Sequence, residues 1–486
     1  MCGILGYFSE RPIRRETFET MRDQMLHRGP DGAGATYLNG DRVALGHRRL
    51  SIIDLSDDGQ QPMPNEDKTL WLTFNGEIYN HLELRKELKA AGHRFSSNMD
   101  GEVLIHGFET WGLDGLLQRV NGMFAFALYD EKTGQFHCAR DRFGIKPFVY
   151  YHDGKRFLFA SEIKAILKDS SLDRSIRKQS LADYFNYGYV PHPHTPWEHI
   201  KKLPPGHSLS FSTGNQGRGS LTTRNGQSSS KDNQSKSPLA VNPGTNSSKG
   251  NPGRRSPTNH QDLNIQRYYT LPTASNIIDR GEAHEISASL LKNAVEGHLT
   301  SDVPVGLFLS GGYDSTAVLH YTKELGHNLD SFTLGFANSK NSEHHLAKQI
   351  ADIYETPNQA QVLQNEEDYW ATLFHQSEFY DEPYAVSSMM PYYYVSQLAA
   401  KTHKVILGGD GGDEVYAGYR WHSSLHDPSF KGMLKNLIRG KHQRLLTNYN
   451  RHMNGLRKRE EAFSVWKDDE IPALADASNL DYFRGN

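Results

Sequence analysis

The apolar positions of this 486-residue chain change their spacing twice. Over residues 1–165, short β-rich runs (4–8, 70–74, 123–129, 157–160) alternate with segments of helical period (15–26, 82–91, 102–111). Such runs between turns predict an antiparallel sheet with helices on it, an α+β domain. A connector rich in proline and tyrosine follows from 170 to 209. Residues 212–266 are Ser, Asn, Gly, Pro and Lys with almost nothing to bury, which predicts a solvated, disordered insert. Beyond Tyr268 a helical pattern over 282–295 leads into alternating strand and helix signals: 303–309, 317 onward, 329–336, 342–353, 359–363, 366–379, 391–400 and 404–407. That βαβ order predicts a parallel sheet. The expected domains are therefore 1–209, an insert over 210–266, and 267–486. Residues 431–461 are basic and helical in pattern, and read as a solvated helical face.

Totals narrow the function. A formal charge of -3 and a pI near 6.8 offer no basic field for nucleic acid, and no apolar run is long enough to span a membrane. The two cysteines, Cys2 and Cys138, exclude a disulfide framework and fit a reducing compartment. With no basic, apolar leader at the start, a cytoplasmic protein is expected.

Two stretches carry chemistry. In VPVGLFLSGGYDSTAVL (303–319) a buried strand stops at Ser310-Gly311-Gly312-Tyr313-Asp314-Ser315 and a helix begins. Glycines admit close backbone approach, N–H groups point outward and the helix N-terminus favours negative charge, so this is an anion site. Asp314 would repel phosphates unless a divalent cation lay between. No Walker A motif occurs. SGGYDS resembles the pyrophosphate loop of ATP pyrophosphatases, which adenylate a substrate. At the other end, removal of Met1 would leave Cys2 with a thiol and a free α-amine. The amine's ordinary pKa of about 7.7–8.0 lets it serve as the thiol's general base. Cys138, inside a strand-like run, reads as a buried small hydrophobe.

The order of motifs then points to a family. Met-Cys-Gly-Ile-x-Gly, HRGPDG (27–32), GHRRLSIID (46–54), NGEIYN (75–80) and RDRFGIKP (140–147) occur in sequence. They resemble the glutaminase half of glutamine-hydrolysing asparagine synthetases. The resemblance implies an N-terminal Ntn-type αββα sandwich followed by an α/β ATP-pyrophosphatase-like domain, with a homodimer as the family's habit. It implies Cys2 as nucleophile, Asn75 and Gly76 as oxyanion hole, and a glutamine pocket from Arg49, Leu50, Ser51, Ile52, Ile53, Asn75, Gly76, Glu77 and Asp100. An arginine suits the α-carboxylate and acidic residues the α-ammonium.

In the second half the resemblance assigns ATP to Leu309, Ser310, Gly311, Gly312, Asp314, Ser315, Leu334, Gly408 and Gly409. It assigns Mg²⁺ to Asp314 and Asp413, and adenylate formation to Asp410 in GGDGGDE (408–414). The implied substrates are glutamine, aspartate and ATP, and an ammonia passage is expected between the halves. Three departures stand out: Gly408 where the family has Ser, the polar insert, and no R-x-P-(F/L)-L-D motif in residues 423–486, so the second domain is expected to be C-terminally incomplete. Two alternatives therefore stay open: an amidotransferase acting on another carboxylate, or an uncoupled glutaminase or nucleotide- or partner-binding protein. The residues 381–383 and 391–394 are expected to shape the acceptor pocket.

Overall fold

The computed structural model describes residues 1–214, 263–272, 279–337, 342–364, 369–386 and 388–419. The body of the polar insert, the basic segment at 431–461 and the rest of residues 423–486 lie outside them.

Two six-stranded antiparallel sheets stack face to face in the first domain. One runs in the order Ile200–Lys202, Val149–His152, Arg156–Ala160, Gly3–Ser9, Val43–Arg49, Gly32–Leu38. The other runs Leu263–Arg267, His207–Ser212, Gln135–Arg140, Gly122–Asp130, Leu70–Ile78, Met63–Pro64. Strand Gly3–Ser9 shows why the layers form. It is buried on both faces, Ile4 and Phe8 toward the other sheet, Leu5 and Tyr7 toward helices. Its alternating residues thus feed two separate cores. The core between the sheets adds Val43, Leu45, Phe136, Cys138 and Phe211. Helices Arg15–Asp23 and Ile163–Leu167 close the first sheet, and helices His81–Ala90 and Glu102–Arg119 close the second. The result is the expected αββα sandwich.

The expected boundary at 209 moves. Strand Leu263–Arg267 pairs with His207–Ser212, Leu209 opposite Ile265 and Phe211 opposite Leu263, so both ends of the expected insert belong to the first domain. As an edge strand it buries little, and its polar residues hid it among polar neighbours. The connector likewise holds a helix, Lys178–Tyr187, ended by Gly188 in the left-handed conformation (φ +75°).

The second domain has a four-stranded parallel sheet in the order Asn358–Leu363, Asp330–Phe336, Val305–Phe308, Val405–Leu407. Helices Arg280–His298, Tyr313–Glu324 and His344–Ile353 pack on one face around Leu307, Leu309 and Leu319. Helix Met389–Ala399 covers the other face over Phe332. Strand order reverses between Val305–Phe308 and Val405–Leu407. At such a switch point the loops leaving the carboxyl ends diverge and open a crevice. The two glycine-rich loops, 310–315 and 408–413, leave from there.

One expectation fails at the domain contact. Asp381 accepts a hydrogen bond from the Ile163 N–H and lies 3.5 Å from Lys164, and Glu382 pairs with Lys202 at 2.7 Å. Both carboxylates face the first domain and tie the two together, so they are not free to shape an acceptor pocket. Cations on the opposing surface outcompete a role that sequence order alone suggested.

Candidate active site

A cavity of about 190 Å³ opens at the domain junction, and Cys2 lies on its wall. Strand Gly3–Ser9 fixes the position of the cysteine just outside the sheet. Arg28 Nε donates to the Cys2 carbonyl at 2.9 Å, and Glu162 holds that arginine at 3.0 Å. The Leu50 N–H points at the sulphur, 3.4 Å away. Burial pushes the thiol up, so it needs a base to ionise. Met1 also lines the cavity, and burial lowers its amine to about 6. Removing Met1 would enlarge the space and leave the α-amine on Cys2 itself.

Every residue expected to hold glutamine except Ser51 lines this cavity. Arg49, at the end of its strand, is buried, and its Nη1 donates to the Ser56 carbonyl at 2.7 Å. Its Nη2 donates to the Asp54 carbonyl. These bonds fix the plane of the guanidinium and leave other N–H groups for a ligand. Gly59 packs so close that a Cβ there would sit 2.2 Å from Nη2. Ser51 does not line the cavity; its N–H bonds Asp31 at 2.9 Å.

On strand Leu70–Ile78, Asn75 is buried and its side-chain NH₂ has no partner. A buried unpaired donor costs about 1–3 kcal/mol, and facing a cavity beside a thiol it is a donor kept in reserve. Gly76 cannot carry a side chain, because a Cβ would meet the Met123 carbonyl oxygen at 2.2 Å.

Electrostatics of the far wall favour a cation. Asp100 is buried and accepts from the Ile78 N–H at 2.7 Å. Glu77 is pushed up to about 7 by burial and by Asp100. Burial also raises Asp100. Two carboxylates held apart from water and near each other are relieved by an ammonium. The Asp100 loop is laced in place. Glu102 accepts from the N–H groups of Ser96 (2.7 Å) and Ser97 (3.0 Å), while Arg85 grips the carbonyls of Ser97 and Met99.

Several lining residues escaped sequence reasoning. Lys146 lies in RDRFGIKP, and burial pushes its ammonium down. Asp141 wraps that turn, accepting from Phe143, Ile145 and Lys146, with Gly144 in the left-handed conformation (φ +68°). The Asp-x-x-Gly spacing was the available signal. Val405 and Ile406 come from the second domain, and nothing local in the sequence marks them.

The second site sits at the switch point. Ser310 and Ser315 hydroxyls bond at 3.1 Å, and the Gly312 N–H donates to Ser310 Oγ at 3.2 Å. Gly311 has φ +87° and the helix starts at Tyr313. The second loop folds onto the first: a Cβ on Gly412 would lie 2.6 Å from both Asp314 carboxylate oxygens, and one on Gly409 would lie 2.8 Å from the Ser315 nitrogen. Burial, then Asp413 and Glu414, push Asp314 up. Leu309 is buried below the loop, and Leu334 lies on the neighbouring strand. Asp410 accepts a hydrogen bond from the Tyr392 hydroxyl.

A third group, His93, His106 and Glu109, brings possible cation ligands together. There His106 Nδ1 lies 3.0 Å from Glu109, and Asn65 holds the other Glu109 oxygen at 2.8 Å. Burial would lower His106, but the Glu102 carboxylate 3.7 Å from its Nε2 and the hydrogen bond to Glu109 override it and raise it to about 9. The imidazolium is itself the cation of this cluster, which stiffens the helix behind the Asp100 loop.

Fold and cavity together define a class II glutamine amidotransferase domain joined to an ATP-pyrophosphatase-like domain. Comparison with known families agrees: residues 1–220 match the glutamine amidotransferase domain and residues 287–480 match asparagine synthase. The chain belongs to the glutamine-hydrolysing asparagine synthetase family. It is 32% identical over 460 residues to a Methanocaldococcus jannaschii protein provisionally named asparagine synthetase (glutamine-hydrolysing) 2, covering 90% of this chain and 79% of that one. Asparagine synthetase (glutamine-hydrolysing) 1 of Bacillus subtilis is 32% identical over 424 residues, 86% of this chain and 59% of that one. Number 3 of the same organism is 30% identical over 455 residues, 89% of this chain and 66% of that one. The chain thus spans about three fifths to four fifths of these relatives. No helix among the described residues is long and apolar enough to cross a membrane.

Proposed function

We propose that the chain is a glutamine-dependent asparagine synthetase. Cys2, freed of Met1, attacks the glutamine amide carbon, and its α-amine takes the thiol proton. The tetrahedral oxygen meets the Asn75 NH₂ and the Gly76 N–H, ammonia leaves, and water releases glutamate from the thioester. Arg49 holds the α-carboxylate; Glu77 and Asp100 face the α-ammonium.

In the second domain, loop 310–315 takes the pyrophosphate of ATP. The β-carboxylate of aspartate attacks the α-phosphorus, pyrophosphate leaves, and ammonia displaces AMP to give asparagine. Asp314 and Asp413 fit Mg²⁺: Asp314, pushed up by burial and by the neighbouring Asp413, and Asp413 itself are the hard oxygen donors it takes in a glycine-lined crevice, alongside phosphate oxygens. When bound, Mg²⁺ supplies neutralisation of phosphate charge. Asp410, held by Tyr392, faces the acyl-adenylate. Aspartate as the acceptor, a homodimer and a cytoplasmic location belong to this same reading.

One observation carries the reading: the wall of the thiol-bearing cavity includes Val405 and Ile406, on the strand that runs directly into the GGDGGDE loop. Nitrogen released at Cys2 therefore starts next to the element that ends at the adenylating crevice. The test is a product assay with glutamine, Mg-ATP and aspartate, following glutamate, pyrophosphate and asparagine separately. Equal amounts of all three are expected. Glutamate alone would leave an uncoupled glutaminase, and pyrophosphate only with a different acid would redirect the acceptor.

A further inference from the structure

The rim of the glutamine cavity, residues 50–54, is held by the second domain at two points, both at the amino ends of two adjacent strands. The Asp302 N–H donates to the Ile52 carbonyl at 3.0 Å, and Asp302 Oδ2 accepts from the Asp54 N–H at 2.7 Å. Asp302 lies just ahead of strand Val305–Phe308, which ends at the SGGYDS loop. Lys404 Nζ pairs with Asp31 at 2.8 Å, and the same Asp31 oxygen accepts the Ser51 N–H. Lys404 directly precedes strand Val405–Leu407, which ends at the GGDGGDE loop. The two strands are neighbours in parallel register, Val305 beside Val405 and Leu307 beside Leu407.

Asp54 makes the Asp302 contact consequential. Its N–H goes to Asp302, its carbonyl takes Arg49 Nη2, and its carboxylate accepts from Ser56 and from the Asn98 N–H at 2.7 Å. Arg49 and the Asp100 loop are the two parts of the cavity set against glutamine's carboxylate and ammonium. A single residue in left-handed geometry (φ +55°) thus joins both to the second domain.

We propose that Asp302, assisted by the Asp31–Lys404 pair, is a positioning residue that couples glutamine binding to nucleotide binding. This rests on the reading of loop 310–315 as the ATP loop. A ligand drawing the two carboxyl-end loops together slides the paired strands as a unit. Their amino ends are bonded to the rim, so the slide reaches Asp54 and aims Arg49. Coupling of this kind is reciprocal, glutamine improving nucleotide affinity by the same factor.

The experiment uses the full chain carrying Cys2→Ala, which binds glutamine without turnover. Glutamine affinity is measured by calorimetry with and without Mg-ATP. In this background ATP is expected to tighten glutamine about tenfold, within the usual range of such couplings. Adding Asp302→Ala should reduce that factor to below about twofold, Asp302→Asn should restore part of it, and Lys404→Met should reduce it less. Lys202→Met, which breaks a domain contact away from the rim, should leave it intact. Unchanged coupling in Asp302→Ala overturns the proposal, and so does equal loss in Lys202→Met or no coupling before the Asp302 change. A separate titration of Mg-ATP alone reports on the ATP loop: absent binding would defeat that reading, whereas binding without coupling defeats only the role of Asp302.

Discussion

The two candidate sites are built to different degrees. Around Cys2 the framework is already braced: Arg49 by two loop carbonyls and Asp100 by a backbone N–H, with Gly59 and Gly76 leaving room for nothing larger, so that only the Asn75 donor and the Glu77–Asp100 pair await a ligand. Around Asp314, burial and the neighbouring carboxylates of Asp413 and Glu414 push one carboxyl group up, and no cation is supplied by the described residues facing it. The first site is preorganised between two packed sheets. The second is a crevice at the end of a small parallel sheet whose charge balance is completed by ligand. Preorganisation lets a site act on a neutral amide, whereas an incomplete site stays idle until its charged substrate arrives.

The difference can be broken from either side. The largest effect is expected from Cys2→Ala: glutamate release should fall by about a thousandfold or more, while pyrophosphate release with free ammonia stays within about twofold. Loss of both activities would show the sites to be one cooperative unit. Asp314→Asn should do the reverse, cutting ammonia-dependent pyrophosphate release by about a hundredfold and sparing glutamate release. A smaller effect tests the electrostatics of the finished site. Glu77 ionises only as pH rises through about 7, so glutamine's ammonium should be held better above that pH. The glutamine KM is expected to fall by several-fold between pH 6 and 8, and Glu77→Gln should show a weaker, flat profile.

The smallest prediction concerns neither site. Replacing residues 213–262 by a two-residue turn between paired strands His207–Ser212 and Leu263–Arg267 should leave both activities unchanged. Shorter loop closure should add about 3 kcal/mol of stability, readable as a higher denaturant midpoint.

How much of this was visible in the sequence depends on how local each cause is. Strand Gly3–Ser9, helix Arg15–Asp23 and strand Asp330–Phe336 announce themselves through side-chain period, and the parallel sheet through its alternating order. Asn75, Arg49 and Asp100 were legible because they sit in dense motifs. Lys146 was written in a motif but its direction was not, since only the Asp141 turn aims it. Val405, Ile406 and Asp302 were illegible as parts of the glutamine site, because their role exists only once two domains meet. Strand Leu263–Arg267 was missed because an edge strand needs few apolar residues, and Asp381 and Glu382 were misassigned because their partners, Lys164 and Lys202, lie far away in sequence.

The hairpin formed by Phe211 and Leu263 has a practical meaning. The polypeptide leaves the outer margin of a sheet and comes back to the same place, so a proteolytic nick in between would not separate the halves. The trailing fragment would remain docked through its five-residue ribbon, which makes this junction a natural place to divide the gene and rejoin its two products without a covalent link.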